Sequence, residues 1–148
     1  MLLAPKLQTF VCLGQGIRLT EVSCLQMSRI GATYVAQLKS LRWLETAGGS
    51  LDNYGVETLT SLAETLTYLS VAQNEFVTDT AWSSLVKFRA LVNLNLSETG
   101  CTVLAVQQLP CLRELSMHGV RGTRPQLDVL VAESSPQLNV SCAWLSKP

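Results

Sequence analysis

The stretch that decides the fold is residues 66–76, LTYLSVAQNEF. It fits the phrase L-x-x-L-x-L-x-x-N-x-L through Leu66, Leu69, Val71, Asn74 and Phe76. Apolar residues that alternate with polar ones are typical of a short strand with one buried face. A single strand of this kind cannot bury that face alone, so the phrase predicts similar strands elsewhere in the chain.

The phrase recurs along the chain. Clear copies begin at residues 41, 91 and 112, and weaker copies begin at residues 19 and 135. The six starts, 19, 41, 66, 91, 112 and 135, are 22, 25, 25, 21 and 23 residues apart. We therefore predict one domain over residues 1–148, in which stacked units share a continuous core.

The second half of each unit predicts a helix. In residues 77–85, VTDTAWSSL, Thr78 or Asp79 is expected to cap the helix, and an apolar stripe follows at steps of three residues. That stripe consists of Trp82, Leu85 and Phe88. Similar steps occur in the other units, at Val35 and Leu38, at Val56, Leu59 and Leu62, at Val106 and Leu109, and at Leu127 and Leu130.

These phrases resemble the leucine-rich repeat family, whose units run to roughly 20–29 residues. Residues 77–85 are similar to the I-T-D-x-x-x-x-x-L run of its cysteine-containing and ribonuclease-inhibitor-like subclass. The resemblance covers residues 19–148. It implies an α/β solenoid with short parallel strands on the concave side and helices on the convex side.

The asparagine position of the phrase is expected to join adjacent coils. An Asn at that turn can hydrogen-bond backbone groups, so we predict this role for Asn74 and a weaker imitation for Thr99. Met27, Gly49 and Val120 depart from the family's Asn or Cys at this position.

Residues 1–18 break the register and allow two interpretations. They form a truncated first unit, or the frame at Leu19 is wrong and one long unit joins Leu7 to Leu41.

One face of the predicted sheet offers a partner-binding surface. Position three of the units gives Glu21, Trp43, Tyr68, Asn93, Glu114 and Gln137, and position five gives Ser23, Glu45, Ser70, Asn95, Ser116 and Asn139. Trp43 and Tyr68 are expected side by side, as an interface centre or packed against each other. The candidate partner-binding residues are Trp43, Tyr68, Glu45, Asn93, Asn95 and Glu114.

The net charge of zero hides an uneven distribution. Residues 1–43 carry five bases and one acid, residues 44–86 six acids and no base, and residues 87–148 six bases and four acids. An acidic patch of Asp52, Glu57, Glu64 and Glu75 either solvates the surface or docks a basic partner. A basic patch of Arg113, Arg121 and Arg124 could touch phosphates, but it is small and lacks interleaved aromatic residues.

Composition excludes several protein classes. With 47% hydrophobic and 15% charged residues, the chain does not resemble a disordered protein, and 11 basic against 11 acidic groups give no excess charge for nucleic acid. The longest uncharged stretch is too short and polar for a membrane span. Five scattered cysteines suggest free thiols, with no metal site. We expect an intracellular protein, most simply a cytoplasmic one, with a mitochondrial destination left open.

We expect no catalysis and no cofactor. His118 is the only histidine, and although Ser116 is near it in sequence, no nucleophile motif surrounds the pair. Phosphate-loop motifs are absent as well.

The resemblance implies a non-catalytic protein–protein interaction module that serves as a structural or scaffold subunit of a larger complex. Three alternatives stay open: the substrate-recognition part of an F-box-type ubiquitin ligase adaptor, although residues 1–18 leave no room for the F-box; an enzyme inhibitor; and an RNA-contacting subunit of a ribonucleoprotein assembly. A hydrolase using Ser116 and His118 is the competitor from another class.

Overall fold

The computed structural model describes residues 19–105, 109–134 and 136–143. Six strands alternate there with helical segments. The strands are β1 (Glu21–Leu25), β2 (Trp43–Ala47), β3 (Tyr68–Ser70), β4 (Asn93–Asn95), β5 (Glu114–Ser116) and β6 (Asn139–Ser141). The α-helices are α1 (Arg29–Val35), α2 (Asn53–Leu59), α3 (Trp82–Leu85) and α4 (Arg124–Glu133), and short 3-10 turns span Thr60–Leu62, Asp79–Ala81 and Val103–Ala105.

The six strands form one parallel sheet in sequence order. From β1 to β5, each strand pairs with the next through matching positions of the phrase, so that Trp43 lies between Glu21 on β1 and Tyr68 on β3. The pairing of Glu21 with Trp43 and of Ser23 with Glu45 matches the positions of the frame that begins at Leu19. What precedes Leu19 lies outside the described residues.

The register of the last strand differs from the prediction by two residues. Asn139, expected at position five, pairs with Glu114 at position three, and Ser141 takes position five opposite Ser116. The last phrase therefore begins at residue 137, and Gln137 does not lie beside Glu114. A slip of two residues keeps every side chain on its original face, so the alternation of apolar residues cannot distinguish the two registers.

The core lies between one face of the sheet and the helical segments. Leu44, Leu69, Leu94 and Leu115, at matched positions of four neighbouring strands, belong to one apolar cluster with the inward residues of the helices. Trp82 belongs to it as well, and with Leu85 and Phe88 it confirms the predicted stripe, since none of the three is more than 1% exposed. Each fully buried leucine stabilises the fold by about 1.5–3 kcal/mol.

Asn74 joins two neighbouring units, as the sequence predicts. Its side chain is fully buried, and Oδ1 accepts hydrogen bonds from the backbone N–H groups of Gly49 and Leu51 at 3.2 Å each. Nδ2 donates to the carbonyl oxygens of Val71 and Ala72 at 3.0 Å each. One side chain thus satisfies four backbone groups, two of which belong to the preceding unit.

The other residues at the asparagine position act differently. Thr99 donates to the carbonyl oxygen of Leu96 at 2.7 Å and accepts from the amide of Cys101 at 3.4 Å, so its hydroxyl bonds stay within its own loop. Gly49 permits a close approach between loops, because a Cβ atom there would lie 2.5 Å from the carbonyl oxygen of Met27. The turns at this position therefore differ: Asn74 bonds the preceding unit, Thr99 bonds its own loop, and Gly49 allows close packing of the loops.

Helices α1 and α2 begin with side-chain caps from their N-cap residues. Ser28 accepts from the amide of Gly31 at 3.3 Å, and Asp52 accepts from the amide of Gly55 at 2.9 Å. The capping expected from Thr78 or Asp79 is wrong, because the structure gives no side-chain cap to that turn.

Thr78 and Asp79 bond neighbouring units. The amide of Thr78 donates to Asn53 Oδ1 at 2.8 Å, and the Asp79 carboxylate accepts from the amide and hydroxyl of Thr102 at 2.6 and 2.9 Å. Thr78 and Asp79, which the local sequence predicts as helix caps, therefore form hydrogen bonds with adjacent units.

Within the described ranges, no helix has the length and apolar character needed to cross a membrane.

Candidate functional site on the open face of the sheet

The sheet has one face that the helical segments do not cover, and we call it the open face. It is formed by positions three and five of the six strands, whose side chains are partly or fully exposed except for the buried Ser70: Glu21, Ser23, Trp43, Glu45, Tyr68, Ser70, Asn93, Asn95, Glu114, Ser116, Asn139 and Ser141. Because the side chains alternate across a strand, burying Leu44 and Leu69 in the core forces their neighbours onto this face. The structure thereby places all six candidate partner-binding residues on one surface.

Trp43 and Tyr68 form an aromatic pair at the centre of this surface. They occupy matched positions on β2 and β3, and their ring centroids lie 4.8 Å apart with planes inclined by 15°. Both side chains are half-buried. The expectation that the rings pack against each other is confirmed, and that of an interface centre stays a prediction.

Glu45 lies on the same strand as Trp43, two residues further along, and is half-buried. Its Oε2 accepts a hydrogen bond from the Ser23 hydroxyl at 3.3 Å. Burial raises the pKa of Tyr68, and the Glu45 carboxylate raises it further. The negative charge therefore lies near the stacked rings, and we call Trp43, Tyr68 and Glu45 the open-face cluster.

The far part of the open face is polar and partly bonded to itself. The Asn93 amide donates to the Glu114 carboxylate across β4 and β5. Asn95 Oδ1 accepts from the amide of Ser97 at 3.0 Å. Asn93, Asn95 and Glu114 therefore form hydrogen bonds with neighbouring groups. Trp43 and Tyr68 form the only ring stack among the described residues.

The predicted acidic patch is dispersed in the structure. Asp52 caps α2, Glu57 lies within α2, Glu64 follows the Thr60–Leu62 turn and Glu75 lies in the loop after β3. Glu57, Glu64 and Glu75 are exposed. A surface that only solvates the chain and one that docks a basic partner both fit this arrangement.

Asp52 belongs to a cluster that sequence reasoning missed. Its carboxylate pairs with the Arg29 guanidinium, whose carbon lies 4.9 Å from the centroid of the Tyr54 ring. The Arg29 hydrogen bond is the main cause that lowers the pKa of Asp52. We call Arg29, Asp52 and Tyr54 the helix-side cluster. The spacing of 23 residues between Arg29 and Asp52, close to one repeat, is the sequence signal that would have suggested it.

The three arginines of the predicted basic patch lie on different segments: before β5, after β5 and at the start of α4. Arg113 directly precedes β5, whereas Arg121 follows the other end of that strand by several residues. Arg124 begins α4 and forms an exposed ion pair with Asp128 at 3.4 Å. Two of the three arginines thus lie beyond opposite ends of one strand.

His118 connects the loop after β5 to the last strand. The amide of Ala143 donates to its Nδ1 at 2.6 Å, and its Nε2 lies 3.1 Å from the Ser141 hydroxyl. Because an amide can only donate, Nδ1 must be unprotonated, and Nε2 then carries the ring proton and donates it to Ser141.

Among the cysteines that the structure describes, Cys24, Cys101 and Cys111 are free thiols. Cys101 is buried, as expected for a core residue, and burial raises its pKa to about 11. Throughout the described ranges, no three His, Cys, Asp or Glu side chains are grouped so that they could hold a metal ion.

When the chain is compared with known proteins, no protein-family model matches it and no curated protein is significantly similar to it.

Proposed function

We propose that the chain is a leucine-rich repeat solenoid whose open face is the concave side, and that it binds another protein there as a scaffold subunit of a larger complex. The fold is consistent with this proposal, because six short parallel strands follow one another in sequence order and share one core. Such stacks present an extended surface suited to protein partners. The proposal includes no catalytic step.

The observation that carries the proposal is the stacked pair of Trp43 and Tyr68 on the open face. Large aromatic side chains that combine a partly accessible ring with a polar surround supply much of the binding energy at protein interfaces. Ser23, Glu45 and Asn93 provide polar groups around this pair. The free thiols of Cys24, Cys101 and Cys111 support the expectation of a role inside the cell.

The experiment is affinity capture of partners with the full chain, quantified by mass spectrometry. It compares the native chain with the double variant Trp43→Ala, Tyr68→Ala and with Tyr34→Ala, a matched control at an exposed tyrosine of α1. Circular dichroism and thermal unfolding establish that all three are folded.

We expect the double variant to lose the captured partner by at least tenfold and Tyr34→Ala to retain it. A partner that the folded double variant still captures fully would refute binding by the open face.

A further inference from the structure

We propose that the open-face cluster of Trp43, Tyr68 and Glu45 binds an arginine side chain on an exposed segment of a partner protein. This inference rests on the proposed function, because it names the chemistry of the partner that the open face receives.

The first argument is the charge of the open face. Its strand residues include three carboxylates, Glu21, Glu45 and Glu114, and neither lysine nor arginine. Arg42 and Arg113 directly precede β2 and β5, so they border the strands. The strand surface is therefore complementary to a positively charged segment, and Glu21 and Glu45 place two of its charges next to Trp43.

The second argument is the aromatic pair. Stacking at 4.8 Å occupies one face of each ring, and both half-buried rings keep part of their surface for a further contact. A cation over the face of an indole is attracted when it lies within about 6 Å of the ring. Glu45 adds a carboxylate on the same face, two residues from Trp43 on β2 and opposite Ser70 on β3. A group that is both planar and positively charged suits this surface.

The third argument is that the same chain already contains the proposed arrangement. In the helix-side cluster, Arg29 lies over the Tyr54 ring and pairs with Asp52. The open-face cluster likewise combines an aromatic ring with a carboxylate. Within the part of the chain that the structure describes, no lysine or arginine forms an ion pair with Glu45 or a cation–π contact with Trp43 or Tyr68. The arginine that completes the arrangement would come from the partner.

Arginine fits this cluster better than lysine. The guanidinium group is planar, so it can stack on an aromatic ring while its N–H groups form a fork to a carboxylate. An ammonium group is compact and strongly hydrated, and it can form only one of these contacts well. We therefore expect a preference between two side chains that carry the same charge.

The test is an NMR titration of the full, isotope-labelled chain with a capped pentapeptide of alternating glycine and arginine. Two matched peptides replace arginine by lysine or by citrulline, which keeps the shape of arginine without its charge. The protein variants are Glu45→Gln and the control Glu57→Gln, which makes the same charge change on α2.

We expect the arginine peptide to shift the indole N–H signal of Trp43 and to bind at least fivefold more tightly than the citrulline peptide. The lysine peptide should lie between them. Glu45→Gln should weaken arginine binding about two- to fivefold, whereas Glu57→Gln should leave it unchanged.

Equal affinity for arginine and citrulline, an unshifted Trp43 signal, or equal effects of the two Gln variants would overturn the inference. If capture still requires Trp43 and Tyr68 but the arginine peptide fails, only this inference is wrong. If capture of the partner does not depend on Trp43 and Tyr68, the proposed function is wrong.

Discussion

The helix-side cluster and the open-face cluster combine the same kinds of group, an aromatic ring and a carboxylate, in two regions of the molecule. In the first, Arg29 from one unit fills the space between Asp52 and Tyr54 of the next unit. In the second, Glu45 lies near Trp43 and Tyr68 on a strand surface that contains no basic residue. The first cluster therefore helps to hold neighbouring units together, whereas the carboxylate of the second forms no ion pair among the described residues.

The largest expected effect on the free energy of unfolding comes from removing the hydrogen bonds of Asn74, which join neighbouring units. Asn74→Ala should lower the free energy of unfolding by about 3 kcal/mol, because buried backbone N–H and carbonyl groups lose their partner at about 1–3 kcal/mol each. Chemical denaturation measures this loss. Asn74→Asp keeps the two acceptor bonds but loses both donor bonds, so it should also destabilise the chain. A loss below about 1 kcal/mol for Asn74→Ala would contradict the structural role of these bonds.

The next largest effect on stability is expected from substituting Asp52 in the helix-side cluster. Asp52→Ala removes the cap of α2 and the partner of Arg29, and we expect a loss of about 1–2 kcal/mol, chiefly from the cap. Asp52→Asn is the matched control, because asparagine caps a helix equally well, so its loss should be much smaller. Thermal and denaturant unfolding near neutral pH compare the two variants.

The same residue predicts a dependence on pH. The pKa of Asp52 is lowered in the folded chain, so the stabilisation is fully present above the ordinary carboxylate pKa of about 4 and is lost as pH falls through the lowered value. Exposure to solvent keeps this contribution small. The stability difference between the native chain and Asp52→Asn should therefore shrink on acidification, and a difference that grows would contradict the assignment.

A somewhat smaller effect comes from the aromatic half of the open-face cluster. Trp43→Ala should destabilise the chain by about 1 kcal/mol, because a half-buried cross-strand stack contributes roughly 0.5–1.5 kcal/mol. A double-mutant cycle with Tyr68→Ala measures the coupling between the rings by denaturation. Additive losses would show that the stack itself contributes nothing.

The smallest effect on stability concerns the charge of the open-face cluster. Glu45→Gln should change the free energy of unfolding by no more than about 0.5 kcal/mol, because the side chain has a polar surround and no ionic partner among the described residues. A loss as large as that of Asp52→Ala would show that Glu45 acts in the fold and would remove the contrast between the two clusters.

Much of the fold could be predicted from the sequence, because strand period and apolar spacing are local properties. The stripe of Trp82, Leu85 and Phe88, the buried leucines of the strands and the coil-joining bonds of Asn74 all lie where the repeat phrase puts them. The candidate site was predicted to the same extent, since alternation alone fixes which side chains share the open face.

Other features depended on how one unit is placed on the next. Asp79 bonds Thr102 in the following unit, and Asn139 takes a register two residues away from the expected one, although local sequence fits both readings of each. The bond from Ala143 to His118 likewise joins residues 25 apart. Local periodicity cannot fix such pairs, because their distance depends on the packing between units.

The sequence by itself determined the repeat, the short strands and the division of each strand into a buried side and an open side. The physical reason is that a chain with regularly spaced leucines can bury them only if the intervening residues face the other way. Only the tertiary structure decided which charges are paired. Arg29 meets Asp52 because stacking brings two helix starts together, and no basic residue on the strands is brought to Glu45.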